Sequence, residues 1–365
     1  MIRRLALLLT LSLVAAACGG DAAPTTTAAP STTTTMTSTT TTSTTTTTIA
    51  VTTTTGATGP TVTTLPEGFR SPINGLHPDL ETLLDRRGIA VKVDNHPEAR
   101  PQSGIQLADG MIEILVEGGF TRFIALFHDN DTDYIGPIRS IRPTDSTLIP
   151  WLDVPLAYSG GQPWVRDLFA SRSIRLIGEG ANGMFRISSR TAPQNLYGDT
   201  NAFRTVSDQR GYHNDPPNWL YEIGLWDFPD EPATEITIEW SSNSLVRWVY
   251  EEGKYLRFNG SSPHRWRARD GSEGQVSVDV LVTLTGHAYT ATPPSGVGTP
   301  VPATETVGSG KARVFAYGLV WEGTWERSGI DQPFQLFSAD GTVAVVPPGV
   351  PWVSILPDIA TLTYE

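Results

Sequence analysis

The chain has 365 residues, a formal charge of −12 from 38 acidic and 26 basic side chains, and a single cysteine, Cys18. That balance argues against nucleic acid as a partner and against adsorption to anionic lipid headgroups through bulk charge. One thiol allows no intrachain disulfide, so the folded part must draw its stability from its core.

In chain order, Arg3 and Arg4 precede an apolar stretch over residues 5–14, and Ala15, Ala16 and Ala17 lead into Cys18. Such a run is too short to span a bilayer core of ~30 Å and reads as a signal peptide over residues 1–17. A cysteine at this junction resembles the lipobox of bacterial lipoproteins, although Ala15 stands where the commonest form has Leu. The resemblance implies lipidation of Cys18 and a membrane anchor on the extracellular face of the cytoplasmic membrane. Loss of Arg3 and Arg4 with the leader would take the formal charge from −12 to −14. Residues 18–66 are dominated by Thr, with no charged side chain between Asp21 and Glu67. Such a tract buries too little apolar surface to order itself, and is expected to be a disordered, O-glycosylatable stalk. Leader and stalk together suggest a Gram-positive envelope.

Residues 67–226 alternate strand and helix signals. Residues 89–93, 111–116, 121–128, 154–158 and 173–177 read as strands, with Gly118 and Gly119 turning the second into the third. Residues 144–151 and 163–170 read as helices, the first cut short by Pro150 and the second opened by Pro163. This predicts a mixed α/β domain. Residues 227–365 carry short alternating runs (235–240, 246–250, 254–258, 276–284, 312–316, 319–325, 343–346 and 352–356), which predict a β-rich barrel- or sandwich-like domain. Trp321 and Trp325 share a strand face there, suited to core burial or, if exposed, to stacking on sugars.

Charge on the apolar elements marks the candidate site. Alternation puts Glu113 on the strand face opposite Ile112, Ile114 and Val116, where an ionised carboxylate needs a partner. Arg122, Arg139 and Arg142 are the nearest candidates in sequence, with Glu117 beside them. Arg186 and Arg190 join this set from a later loop, and arginine forks suit carboxylates and phosphates. Asp94 and Asn95 close a strand end, a frequent ligand position in open α/β sheets and equally a turn cap. Residues 129–133 alternate carboxylates but lack the glycine and the last glutamate of a calcium loop. Residues 178–183 satisfy G-x-G-x-x-G without a following helix signal, and read as a loop that could cover a ligand. No spacing points to a metal or a cofactor.

The runs 94–104, 108–109, 117–123 and 135–142, with Glu113, resemble the YerB-type bacterial lipoproteins. Residues 185–186, 190–193, 195–197, 323–325 and 349–352 are similar too, so the likeness covers nearly all of residues 70–357. It implies a lipoprotein of two domains of unknown function and lends no reaction. It also adds Asn195 to the candidate residues. Gln194 stands where the family pattern has His, and glutamine cannot titrate, which weakens any acid–base role there. The expected function is recognition of an envelope component (a peptidoglycan fragment, another glycan or a partner protein) through the Arg/Glu-lined site. Alternatives are a cell-wall hydrolase or transferase using a glutamate as general acid or base, and a structural scaffold.

Overall fold

Apolar runs from both halves of the chain meet in one sheet. The computed structural model describes residues 68, 70–225, 229 and 231–365; the leader, Cys18, the Thr-rich tract and residues 226–228 lie outside the described residues. The amino-terminal half supplies β1 (Ile89–Asp94), β2 (Gly110–Leu115), β3 (Thr121–Phe127), β4 (Leu156–Ala157) and β5 (Leu176–Ile177). They occupy one end of an eleven-stranded sheet, in the order β2-β3-β1-β4-β5. Six strands of the carboxyl half complete it, with Pro351–Pro357 pairing in parallel to both β2 and Val280–Gly286. Gly118 and Gly119 adopt φ of 71° and 73° at the β2–β3 turn, a left-handed conformation that L side chains rarely tolerate.

β1, β4 and β5 run parallel, connected through α1 (Asp145–Leu152) and α2 (Pro163–Ser171). α1 continues through Pro150 to Leu152 rather than stopping at it. Period-2 alternation sorts the side chains onto two cores. Ala90, Ile112, Ile114, Ile124 and Leu126 cluster with Leu148, Ile149, Val165 and Phe169 of α1 and α2. Val91, Val93, Met111, Phe123 and Ala125 cluster instead with Phe203 and Val206 of α3 (Thr200–Gln209), and with a second sheet. A short hairpin of β6 (Met184–Arg186) and β7 (Leu196–Gly198) precedes α3.

The second sheet has six strands, built on β8 (Glu235–Ser241), β9 (Ser244–Glu251) and β10 (Lys254–Asn259). Its inner face places Trp240, Trp248 and Tyr255 against the large sheet. The mixed α/β amino-terminal region and the β-rich carboxyl-terminal region expected from sequence are both present. The run 276–284 is not one strand. It breaks at Asp279, so that Ser277–Val278 pairs with β10 while Val280–Gly286 joins the large sheet. Asp279 holds the crossing, its Oδ2 accepting from Val350 N at 2.8 Å. Trp321 and Trp325 are buried, at 4% and 1% exposure.

Candidate functional site

The expected site residues divide between the two faces of the large sheet. Glu113 lies among Met111, Leu115 and Phe123 facing the second sheet, as alternation predicts. Its expected pairing with Arg122, Arg139 or Arg142 is corrected: those arginines sit on the other face, and its cation is Arg257 of β10, 144 positions away. Glu113 Oε1 accepts from Arg257 at 2.8 Å and from Thr121 Oγ1 at 2.6 Å, while Oε2 accepts from Trp352 Nε1 at 2.9 Å. The guanidinium of Arg257 is boxed by Phe123, Trp248 and Trp352, its centre 5.0–5.7 Å from their rings. Burial draws the Arg257 pKa down, and Glu113 opposes that pull.

The network extends further. Arg257 can only donate, so His264 Nδ1 accepts from it, leaving Nε2–H to donate to Gln102 Oε1 at 2.8 Å. Burial, then the charges of Arg257 and Arg100, hold the His264 pKa well below the usual range, so it is the neutral tautomer that bridges. Gln102 Nε2 in turn donates at 3.0 Å to both Asp94 O and Asn95 Oδ1. Asn95 is fully buried and fully engaged, with Arg100 on its Oδ1 and Thr121 accepting from its amide. A sealed carboxylate of this kind has no face for a substrate, and the arrangement is that of a structural brace.

On the opposite face, at the carboxyl ends of β1 and β4, a second set is only partly exposed, with 22% of the Arg139 side chain and 39% of Glu117 reaching solvent. Arg139 Nε stands 2.9 Å from Asp94 Oδ2 and Arg122 Nε 3.5 Å from Oδ1, both misaligned for hydrogen bonds. Arg122 NH1 donates to Ser140 O at 3.0 Å, and Arg142 donates to Glu117 at 2.6 Å. Behind them Lys92, completely buried, donates to Asp145 at 2.6 Å. Burial lowers the Lys92 pKa to about 8 despite Asp145, with Arg122 and Arg142 adding to the fall. Burial, then the Arg142 charge, brings Arg122 down to about 10, which leaves it charged at neutral pH. Burial pushes Glu117 upward, but the hydrogen bond and charge of Arg142 outweigh it and leave the carboxyl below its ordinary value.

Asp94, Glu117, Arg122, Arg139 and Arg142 therefore converge. Arg186 and Asn195 do not join them directly. Arg186 donates to Asn195 Oδ1 and pairs with Glu179, whose other oxygen accepts from Ser159 Oγ at 2.7 Å. Arg190 lies apart, donating to the carbonyls of Glu98 and Pro101 and lining a recess of about 590 Å³ with Gln194. Within residues 129–133, Asp131 is bound by Arg86 and Arg204 and Asp133 by Arg269, while Asp129 lies beside the His128 ring. Sequence reasoning missed Arg257, His264, Gln102 and Trp352. It also missed a cleft of about 680 Å³ between α2 and the hairpin Ala288–Ala291/Val301–Thr304, lined by Pro143, Trp164, Leu168 and Tyr289.

An α/β half whose parallel strand ends carry an arginine cluster, braced by a β-rich half, defines the class of protein. The chain belongs to the YerB-like family of two domains of unknown function: residues 73–213 match the "Protein of unknown function (DUF3048) N-terminal domain" and residues 236–353 the corresponding C-terminal domain. It is 27% identical over 308 residues to the Bacillus subtilis (strain 168) protein named "Putative lipoprotein YerB", covering 80% of this chain and 87% of that one. The crystal structure of the YerB protein from Bacillus subtilis matches with a TM-score of 0.69 at 25% identity, over 81% of this chain and all of that one.

Proposed function

We propose that this chain is a lipid-anchored envelope protein that recognises an anionic envelope component through the cluster of Asp94, Glu117, Arg122, Arg139 and Arg142. One observation carries the reading. Arg139, with 22% of its side chain exposed, donates no side-chain hydrogen bond among the described residues, although Asp94 orients it. A guanidinium held in place with its donors unspent is poised for a carboxylate or phosphate. The neighbouring cleft, which includes Pro143 and Trp164, offers room for the organic part of such a ligand. Anchoring rests on the Cys18 junction and on the lipoprotein name of the relative. In this reading residues 18–66 are the tether, residues 67–226 the recognition domain and residues 227–365 its brace.

The test is co-sedimentation of the full chain with purified cell-wall sacculi, beside the Arg139→Lys variant. Binding by the wild type and its loss in a variant with an unchanged circular-dichroism spectrum supports the reading. Equal binding by both overturns it.

A further inference from the structure

The segment between β4 and α2 lies against the arginine cluster. Tyr158, Ser159, Gly160, Gly161 and Gln162 connect the carboxyl end of a parallel strand to a nine-residue helix that begins at Pro163. Ser159 N donates to Arg139 O at 3.0 Å, and Ile141 N donates to Gly160 O. The approach is close: a Cβ at Gly160 would stand 3.1 Å from Ser140 Oγ, and one at Gly161 3.0 Å from Ile141 Cγ1. Both glycines have positive φ, 81° and 147°. Among the described residues the backbone N–H groups of Gly160, Gly161 and Gln162 donate to no acceptor. They stand at the positive end of the α2 dipole.

A second, independent feature lies at the same place. Arg122 is nine-tenths buried, donates to Ser140 O, and holds its Nε 3.5 Å from Asp94 Oδ1 without completing a hydrogen bond. Counting Lys92, Arg122, Arg139 and Arg142 against Asp94, Glu117 and Asp145, four cations face three carboxylates, so the cluster carries one uncompensated positive charge. A planar carboxylate is satisfied by a single guanidinium fork. Here the donors belong to different parts of the chain: the guanidinium groups, the Ser140 hydroxyl beside Gly160, and the amides of the turn. That arrangement suits a tetrahedral oxyanion.

Resting on the anion-recognition reading above, we infer that the group bound here is a singly charged phosphodiester, held between Arg122, Arg139, Ser140 and the Gly160–Gln162 turn. A diester-linked polyol polymer and a phospholipid headgroup share this chemistry.

The full chain in detergent is titrated by calorimetry at fixed ionic strength with glycerophosphoglycerol, a glycerol phosphate oligomer, inorganic phosphate and N-acetylmuramate. Glycerophosphoglycerol is expected to bind, with affinity reduced about tenfold by Arg139→Lys and measurably by Ser140→Ala. Tighter binding of the oligomer assigns the site to a polymer; equal binding assigns it to a headgroup-sized ligand. Inorganic phosphate binding more tightly than the diester overturns the inference. So does N-acetylmuramate binding while the diester is silent, which leaves the anion reading standing. Silence from all four probes sinks both.

Discussion

On one face of β1–β3, Glu113 is enclosed by Arg257, Thr121 and Trp352 without exposed surface; on the other, a buried Asp94 meets Arg122 and a partly exposed Arg139. Both are carboxylate–arginine sets on the same three strands. The sealed set draws its cation from β10 of the other half of the chain, and its hydrogen bonds are complete apart from Arg257 Nε. The open set is assembled locally, from residues 92–145, and leaves Arg139 with its donors unspent. Desolvated charge is costly unless fully paired, so the first arrangement makes sense as a brace. Incomplete pairing at the second makes sense where another anion completes it. The two are joined through Gln102, which holds the backbone of Asp94 from the sealed side.

The comparison can be broken most sharply at Arg257. Arg257→Met strands a buried Glu113 and is expected to cost about 3–5 kcal/mol in chemical denaturation, with Glu113→Gln/Arg257→Met recovering much of it. A small loss from the single variant would mean that Glu113 is not sealed. His264 gives the next effect. Its folded pKa lies well below the ordinary 6.5, so the unfolded chain takes up a proton that the native state refuses. Stability should be fully present above that value and fall by up to about 1.4 kcal/mol per pH unit below it. His264→Gln should flatten this limb in denaturation midpoints measured from pH 7 to 5.

Lys92 supplies the counterpart on the open face, with the sign set by its lowered pKa of about 8. Between pH 8 and the unfolded value of about 10.4 the unfolded chain binds more protons, so stability should rise with pH there, and Lys92→Met should remove that rise. Arg139→Lys should change stability by less than about 1 kcal/mol while weakening anion binding about tenfold, a separation that no variant of the sealed set should reproduce. Smallest of all, Arg269→Ala removes an exposed partner of Asp133 and should move the denaturation midpoint hardly at all.

Much of this was legible in the sequence. Alternation placed Glu113 on its face and the double glycine made the β2–β3 hairpin; the pairing of Glu117 with Arg142, by contrast, was not singled out. The partner of Glu113 was not, because side chains 144 positions apart meet only through the packing of two sheets. Proximity in sequence favoured Arg122, Arg139 and Arg142, yet Arg122 pairs with Ile114 across the hairpin, and that register turns it to the other face. The run 276–284 looked continuous because Ser277 and Asp279 occupy the polar positions of a Val-x-Val-x-Val alternation, whereas Asp279 marks the crossing between sheets. His264 had no spacing partner to betray it. Its role depends on Gln102, 162 positions earlier.

The most direct test is an arginine Nε–Hε correlation spectrum of the isotope-labelled full chain, recorded with and without glycerophosphoglycerol, with resonances assigned by single substitution. The account predicts that the Arg139 and Arg122 resonances shift while Arg257 stays in place. A shift of Arg257 with Arg139 unmoved would contradict it, because the ligand would then be entering the face described here as sealed.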